Sequence, residues 1–307
     1  MRKFGGSWSE SKLDCVENYA QSYLRVMQKQ SWCTLYYVDA FAGRGKQALK
    51  SCASTGEGLQ EIDSFFGDES ERADTEEFLA GSAIRALRAS IVESRPFDQF
   101  LLIDIDQASC CELESMIQTE FPEMWGKVKV ICNDANTALY DYINTVDWTH
   151  TRALVFLDPY GLEVDWDLII RLARTGACDV WYLFPLGGVL RMMTKDGQIP
   201  DSWQTRLHRV FGTKEWYEEF YRPSDQLSLF PDENERLSKD ASTEHVVNFI
   251  RKRLKTIFPA VSNAGILRNG KGAPLFALVL GVSNPSLKAQ RAALSIANHL
   301  VKDLNQQ

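Results

Sequence analysis

A chain of 307 residues with 45% apolar content can bury a substantial core, and its composition places it among folded globular proteins rather than disordered or fibrous ones. Seven cysteines, an odd number with no CxxC pair, argue against a disulfide framework or a zinc ribbon, and they suit reduced thiols in a cytosolic protein. The formal charge of −7 is concentrated in residues 57–77, where nine carboxylates face one arginine, so the remainder of the chain is close to neutral and free to present a basic surface.

No apolar run approaches the roughly 20 residues of a membrane span, and MRKFGGSWSE lacks the apolar core of a secretion signal. The expectation is a cytoplasmic protein with no membrane association. Four scattered histidines without HxxxH spacing give no metal site.

Along the chain, Leu13, Val16, Ala20, Leu24 and Met27 recur at helical spacing and precede LYYVDAF, a buried strand by its aromatic and β-branched content. Asp39 ends that strand, and Gly43 and Gly45 allow a tight turn that brings backbone amides toward a ligand. Residues 46–80 read as an acidic insertion. A helix is expected over 82–94, with Gly81 and Ser82 at its start and Ala83, Ile84, Leu87 and Ile91 on one face. FLLIDID then ends in Asp104 and Asp106, VKVICND in Asn133 and Asp134, ALVFLDPYG in Asp158-Pro159-Tyr160, and CDVWYLFP in a proline.

Five strands in succession thus carry a polar or turn-forming residue at their carboxyl ends, the edge of an open α/β sheet where ligands bind. Beyond Pro185 the pattern changes. Residues 186–242 read as a helical and loop insertion near the substrate side, with 222–240 as a mobile loop. A helix over STEHVVNFIRKRLKTIF follows, then two strand-like runs, VSNAGILRN and APLFALVLGVS, joined as a hairpin through GKG, and a closing amphipathic helix. The whole is one α/β domain, 1–307, with a mostly parallel sheet, a terminal antiparallel hairpin and flanking helices.

The runs LYYVDAFAGRG, GSAIRAL, LLIDID and VFLDPYGLEVDWDLIIRLARTGACDVWYLFPLGGVLRM resemble the three-Cys-motif partner family, whose core is similar to class I S-adenosylmethionine-dependent methyltransferases. The resemblance implies a Rossmann-like methyltransferase sheet and S-adenosylmethionine as cofactor. It places Asp39, Ala40, Phe41, Gly43 and Gly45 around the methionine moiety, Asp104 at the ribose and Asp134 at the adenine, with Asp106 among the cofactor-binding residues. It also implies a radical-SAM-like three-Cys-motif protein as a candidate partner. DPYG resembles the motif of amino-methyltransferases, which implies that Asp158, Pro159 and Tyr160 hold an amine of a nucleobase, with a nucleic acid as substrate.

Other readings of these residues stand beside that one. Asp158 before Pro159 also suits a plain strand terminator and Tyr160 a packed turn residue, while Trp181, Tyr182 and Phe184 suit the core better than a stacking platform. Two other functions also fit the pattern: a non-catalytic methyltransferase-like module that binds a protein partner, and a NAD-binding Rossmann enzyme.

Overall fold

A computed structural model describes residues 7–44, 81–223 and 237–305. Gly45 and the whole acidic insertion 46–80 lie outside the described residues, as does much of the 222–240 segment.

Strands β1 (Thr34–Asp39), β2 (Gln99–Asp104), β3 (Val128–Cys132), β4 (Thr151–Leu157) and β5 (Cys178–Phe184) run parallel. β6 (Tyr221–Pro223) and β7 (Leu237–Lys239) pair as a separate antiparallel ribbon, so the ends of the segment read as a loop are strand. β8 (Ala260–Val261) and β9 (Gly265–Arg268) both pair antiparallel with β10 (Pro274–Val282). The main sheet has the order β3-β2-β1-β4-β5-β10-β8, with β9 also on β10. That order, with an antiparallel strand in sixth place, is the class I Rossmann-like methyltransferase topology expected from the sequence.

The run VSNAGILRN is two strands rather than one. Ser262 interrupts it: its backbone N–H donates to Leu280 O and its hydroxyl accepts from Leu280 N, both at 2.9 Å, so a side chain fills a place in the ladder.

The helices are α1 (Ser7–Met27), α2 (Ser82–Val92), α3 (Gln107–Glu120), α4 (Ala135–Thr145), α5 (Trp166–Arg174), α6 (Leu186–Met192), α7 (Asp201–Phe211), α8 (Trp216–Phe220), α9 (Thr243–Lys255) and α10 (Leu287–Leu304). α1 packs between α2 and α10, while α4, α5, α7, α6 and α9 form a second chain of contacts. β4, β5 and β10 are buried along nearly their whole length, as strands covered on both faces must be. Trp181, Tyr182 and Phe184 are core, and each such side chain contributes roughly 1.5–3 kcal/mol by leaving water. In α2, Ala83, Ile84 and Leu87 are buried as the spacing requires, but Ile91 is exposed because the helix ends one residue later, beyond its neighbours.

Among the described residues, no helix is long and apolar enough to cross a membrane, and no cluster of His, Cys, Asp or Glu could hold a metal. All six described cysteines are free thiols.

Candidate active site

The chain reverses direction across the sheet between β1 and β4, so the loops that leave these two strands diverge and open a crevice at their carboxyl ends. The segment after β1 is threaded through that crevice by backbone bonds: Ala40 N donates to Phe156 O at 3.1 Å and Ala42 N to Ile103 O at 2.8 Å. Ala40 and Phe41 are therefore buried between β4 and β2. Gly43 then adopts φ 61°, a left-handed conformation that suits glycine, and its N–H donates to Asp104 Oδ2 at 2.9 Å.

Asp104, 4% exposed, accepts a second backbone bond on Oδ1 from Asp106 N at 2.8 Å. Burial raises its pKa, and the two amide donors oppose the shift. The carboxylate thus ties the glycine turn of β1 to the end of β2. Arg44 reinforces that tie, donating to Ser109 Oγ at 3.3 Å and lying near Asp106 and Glu112.

Asp106 and Asp134 sit on the same edge and serve as helix caps. Asp106 accepts from Ser109 N and Oγ at the start of α3, and Asp134 from Thr137 N and Oγ1 at the start of α4. Satisfying the first-turn amides is the ordinary role of aspartate in that position. Neighbouring Asn136, buried, clamps the loop that follows DPYG: its Nδ2 donates to Glu163 O and its Oδ1 accepts from Asp165 N, both at 2.9 Å.

Asp158 ends β4 with its side chain 1% exposed, and Lys12 of α1 donates to its Oδ2 at 2.6 Å. Lys12 is itself completely buried, and its ammonium also lies 5.2 Å from the centre of the Phe156 ring. Burial lowers the Lys12 pKa to about 7 and lifts that of Asp158 to about 6, each opposed by the attraction of the other.

The sequence reading did not anticipate this lysine. Its signal was present: Lys12 stands four residues before Val16 on the stripe that continues through Ala20 and Leu24, so it points into the core with them.

Asp39, wholly buried, shares this pocket of charge. Its Oδ1 accepts from Phe41 N at 3.2 Å, while its Oδ2, Tyr37 Oη and Ser82 Oγ have no hydrogen-bond partner among the described residues. Burial raises the Asp39 pKa to about 7, and the neighbouring Ser82 hydroxyl opposes the shift.

Pro159 is buried and Tyr160 half-buried. Burial first, and then the carboxylates of Asp104, Glu163, Asp158 and Asp106, hold the Tyr160 phenol well above its usual range. Tyr160 accordingly lies between the β4 loop and the acidic end of β2. On the far side of the same loop, Arg209 of α7 bonds to Asp165, which fastens the 186–242 region to the site's rim.

The structure therefore gathers Asp39, Ala40, Phe41, Gly43, Asp104, Asp106, Asp134, Asp158, Pro159 and Tyr160 on one edge of the sheet and adds Lys12, Tyr37, Ser82 and Asn136. An open cavity of about 750 Å³ lies elsewhere, between α9, the β9–β10 turn and the end of α10, lined by residues such as Asn248, Arg251 and Arg268. None of the buried carboxylates of the strand ends lines it.

No family model matches the chain, and no curated protein does. Among solved structures, it is similar to a Legionella pneumophila protein of the DUF519 family at 12% identity, over 95% of this chain and 92% of that one, with a TM-score of 0.41. It is also similar to a Listeria monocytogenes protein described as a candidate S-adenosylmethionine-dependent methyltransferase, at 11% identity over 86% of this chain and 98% of that one, with a TM-score of 0.31.

Proposed function

We propose that the protein transfers a methyl group from S-adenosylmethionine to an exocyclic amine of a nucleobase, with a nucleic acid as the substrate class. The observation that carries this reading is the Gly43 N–H bond to Asp104 Oδ2, which sets a left-handed glycine turn against an acidic strand end beside Asp158-Pro159-Tyr160.

The residues present fit the cofactor. Asp39 Oδ2, buried and without a hydrogen-bond partner among the described residues, offers an acceptor to the methionine end beside the turn of Ala40, Phe41 and Gly43. Asp104 would hold the ribose hydroxyls through its remaining lone pairs, with Asp106 and Asp134 flanking the adenosine. When bound, the cofactor supplies a methyl group already activated by its sulfonium, so the protein's task is chiefly positioning. Asp158 would accept an N–H from the acceptor amine and turn its lone pair toward the methyl group, while the ring of Tyr160 stacks on the base and offsets part of the cost of extruding it. With its pKa lifted to about 6, Asp158 is also a competent receiver of the proton that the methylated amine sheds.

Calorimetry with S-adenosylmethionine tests the cofactor. Heat is expected with the wild type and its loss with Asp104→Asn; no heat with the wild type removes the proposal. Asp158→Ala should keep cofactor affinity and abolish labelling of nucleosides from methyl-labelled S-adenosylmethionine, whereas equal loss of both would assign Asp158 another role.

A second reading, a binding module for a radical-SAM-like three-Cys-motif protein, draws on the closure of Asp158: a carboxylate 1% exposed and held by Lys12 suits a static scaffold. A stable complex that tolerates Asp39→Asn and Asp158→Asn would favour it. A NAD-binding enzyme is the weaker alternative, since the antiparallel β10 stands where a dinucleotide-binding sheet has a parallel strand.

A further inference from the structure

We infer that the groove between α9, the β9–β10 turn and the end of α10 binds the phosphate backbone of a single-stranded nucleic acid. The inference extends the proposed nucleic-acid substrate class but stands apart from methyl transfer, and it uses none of the buried carboxylates.

Two guanidinium groups line the groove, and neither meets a carboxylate among the described residues. Arg251, half-buried on α9, donates from Nε to Ser262 O and from Nη2 to Asn263 Oδ1, both at 3.0 Å. Arg268, exposed at the end of β9, donates from Nη1 to Gly272 O at 3.0 Å. Neutral acceptors thus orient both groups and leave their charges and further N–H donors for a ligand. Arginines elsewhere are engaged differently: Arg25, Arg85, Arg95, Arg171 and Arg209 each reach a carboxylate of the fold. Burial lowers the Arg251 pKa and no carboxylate opposes the shift, so an anion entering the groove relieves that cost. Lys255, exposed and four residues beyond Arg251, continues the same helix face. The one carboxylate of the lining, Glu244, stands two turns earlier on α9, roughly 10 Å along the axis.

The sheet edge decides which polyanion fits. β8 and β9 form the outer edge beside β10, where an acidic peptide would bind by adding a strand. α10 and the residue after it close that edge with side chains: Asn305 Oδ1 accepts from Ile266 N at 2.8 Å, its Nδ2 donates to Ala264 O at 2.9 Å, and Asn298 Oδ1 accepts from Asn263 N at 2.7 Å. With those backbone groups taken, the groove offers charge, which is what a phosphodiester chain requires. None of the lining residues is aromatic, so the contact positions a strand and does not read its bases. Placement agrees. Ala277 pairs with Phe184, so the β9–β10 turn lies at the carboxyl edge of β5, three strand spacings or roughly 14 Å from the end of β4.

Fluorescence anisotropy of a labelled single-stranded oligonucleotide with the full chain tests this. The wild type should bind with an affinity that falls steeply between roughly 50 and 200 mM salt. Arg268→Gln should weaken binding about threefold or more and lower the salt slope by about 0.7, and adding Arg251→Gln should lower it by about 1.4 in all. Arg25→Gln, whose arginine pairs with Glu93, should change neither. Poly-glutamate and adenosine monophosphate should compete far more weakly than unlabelled oligonucleotide.

No binding by the wild type overturns the inference, as does a salt slope unmoved in Arg268→Gln, which alone decides if the double variant does not fold. Competition by poly-glutamate as strong as by oligonucleotide assigns the groove to an acidic peptide, and equal competition by adenosine monophosphate assigns it to a free nucleotide; either result overturns the inference. Oligonucleotide binding that persists where calorimetry finds no S-adenosylmethionine binding removes methyl transfer and leaves this inference standing, and the reverse result removes this inference alone.

Discussion

Lys12 Nζ and Asp158 Oδ2 meet at 2.6 Å across 146 residues, joining the first helix to the end of the fourth strand with both side chains sealed from solvent. Enclosing two charges costs several kcal/mol, which their attraction roughly offsets; removing one partner leaves the cost uncompensated.

Asp158→Asn should therefore destabilise the fold by roughly 3 kcal/mol, and combining Lys12→Met with Asp158→Leu should recover most of that loss, because two apolar groups of similar volume remove both charges at once. Urea unfolding of the wild type and both variants measures it. A double variant less stable than the single one would mean that the pair contributes net stability.

Asp39 predicts a pH dependence. Its folded pKa, about 7, lies above the unfolded value of 3.8 because burial disfavours the carboxylate. The folded state thus holds the proton more tightly, and the stability this contributes is complete below about pH 4 and lost as pH rises toward 7. Asp39→Asn removes the dependence, so it should gain a few kcal/mol relative to the wild type between pH 4 and pH 8. A difference that stays flat across that range would contradict the assignment.

Gly212 closes α7 with φ 64°, and a β-carbon there would overlap the indole of Trp166 at the start of α5. Gly212→Ala combines left-handed strain of about 1–2 kcal/mol with overpacking of similar size. Thermal unfolding should show a total loss above about 2 kcal/mol, and a loss no larger than that of an exposed Gly→Ala would show that Trp166 can move aside.

Asn136 predicts a local effect. Its two bonds hold Glu163 O and Asp165 N in the loop after DPYG. Asn136→Ala should cost about 2 kcal/mol and speed amide exchange at Asp165 before the rest of the sheet opens. Unchanged exchange at Asp165 would place the control of that loop elsewhere.

Much of the framework was legible because the parallel strands are short apolar runs punctuated by Asp39, Asp104, Asp134 and Asp158, and because WDLIIRLAR has an unambiguous helical stripe. Pairings across long separations were harder to read. Lys12 on an otherwise apolar stripe could be recognised as a buried partner only once the strand 146 residues away was in place. Asp106 and Asp134 were legible in type but not in duty: Asp-x-x-Ser and Asp-x-x-Thr are local capping signals, and the caps take up acceptor capacity that the cofactor reading also draws on. Ser262 escaped because a hydroxyl standing in for a backbone bond leaves no periodic trace.

The order of the sheet also bears on how the chain folds as it is made. β5 acquires its outer neighbour only from β10, whose residues 274–282 follow those of β5 by some ninety positions. During synthesis the apolar edge Cys178–Phe184 therefore waits unpaired while α6 to α9 emerge from the ribosome, on the order of several seconds at ordinary rates of elongation. Nascent chains halted before residue 274 should be the aggregation-prone ones, and release beyond residue 282 should mark the point at which chaperone dependence falls away.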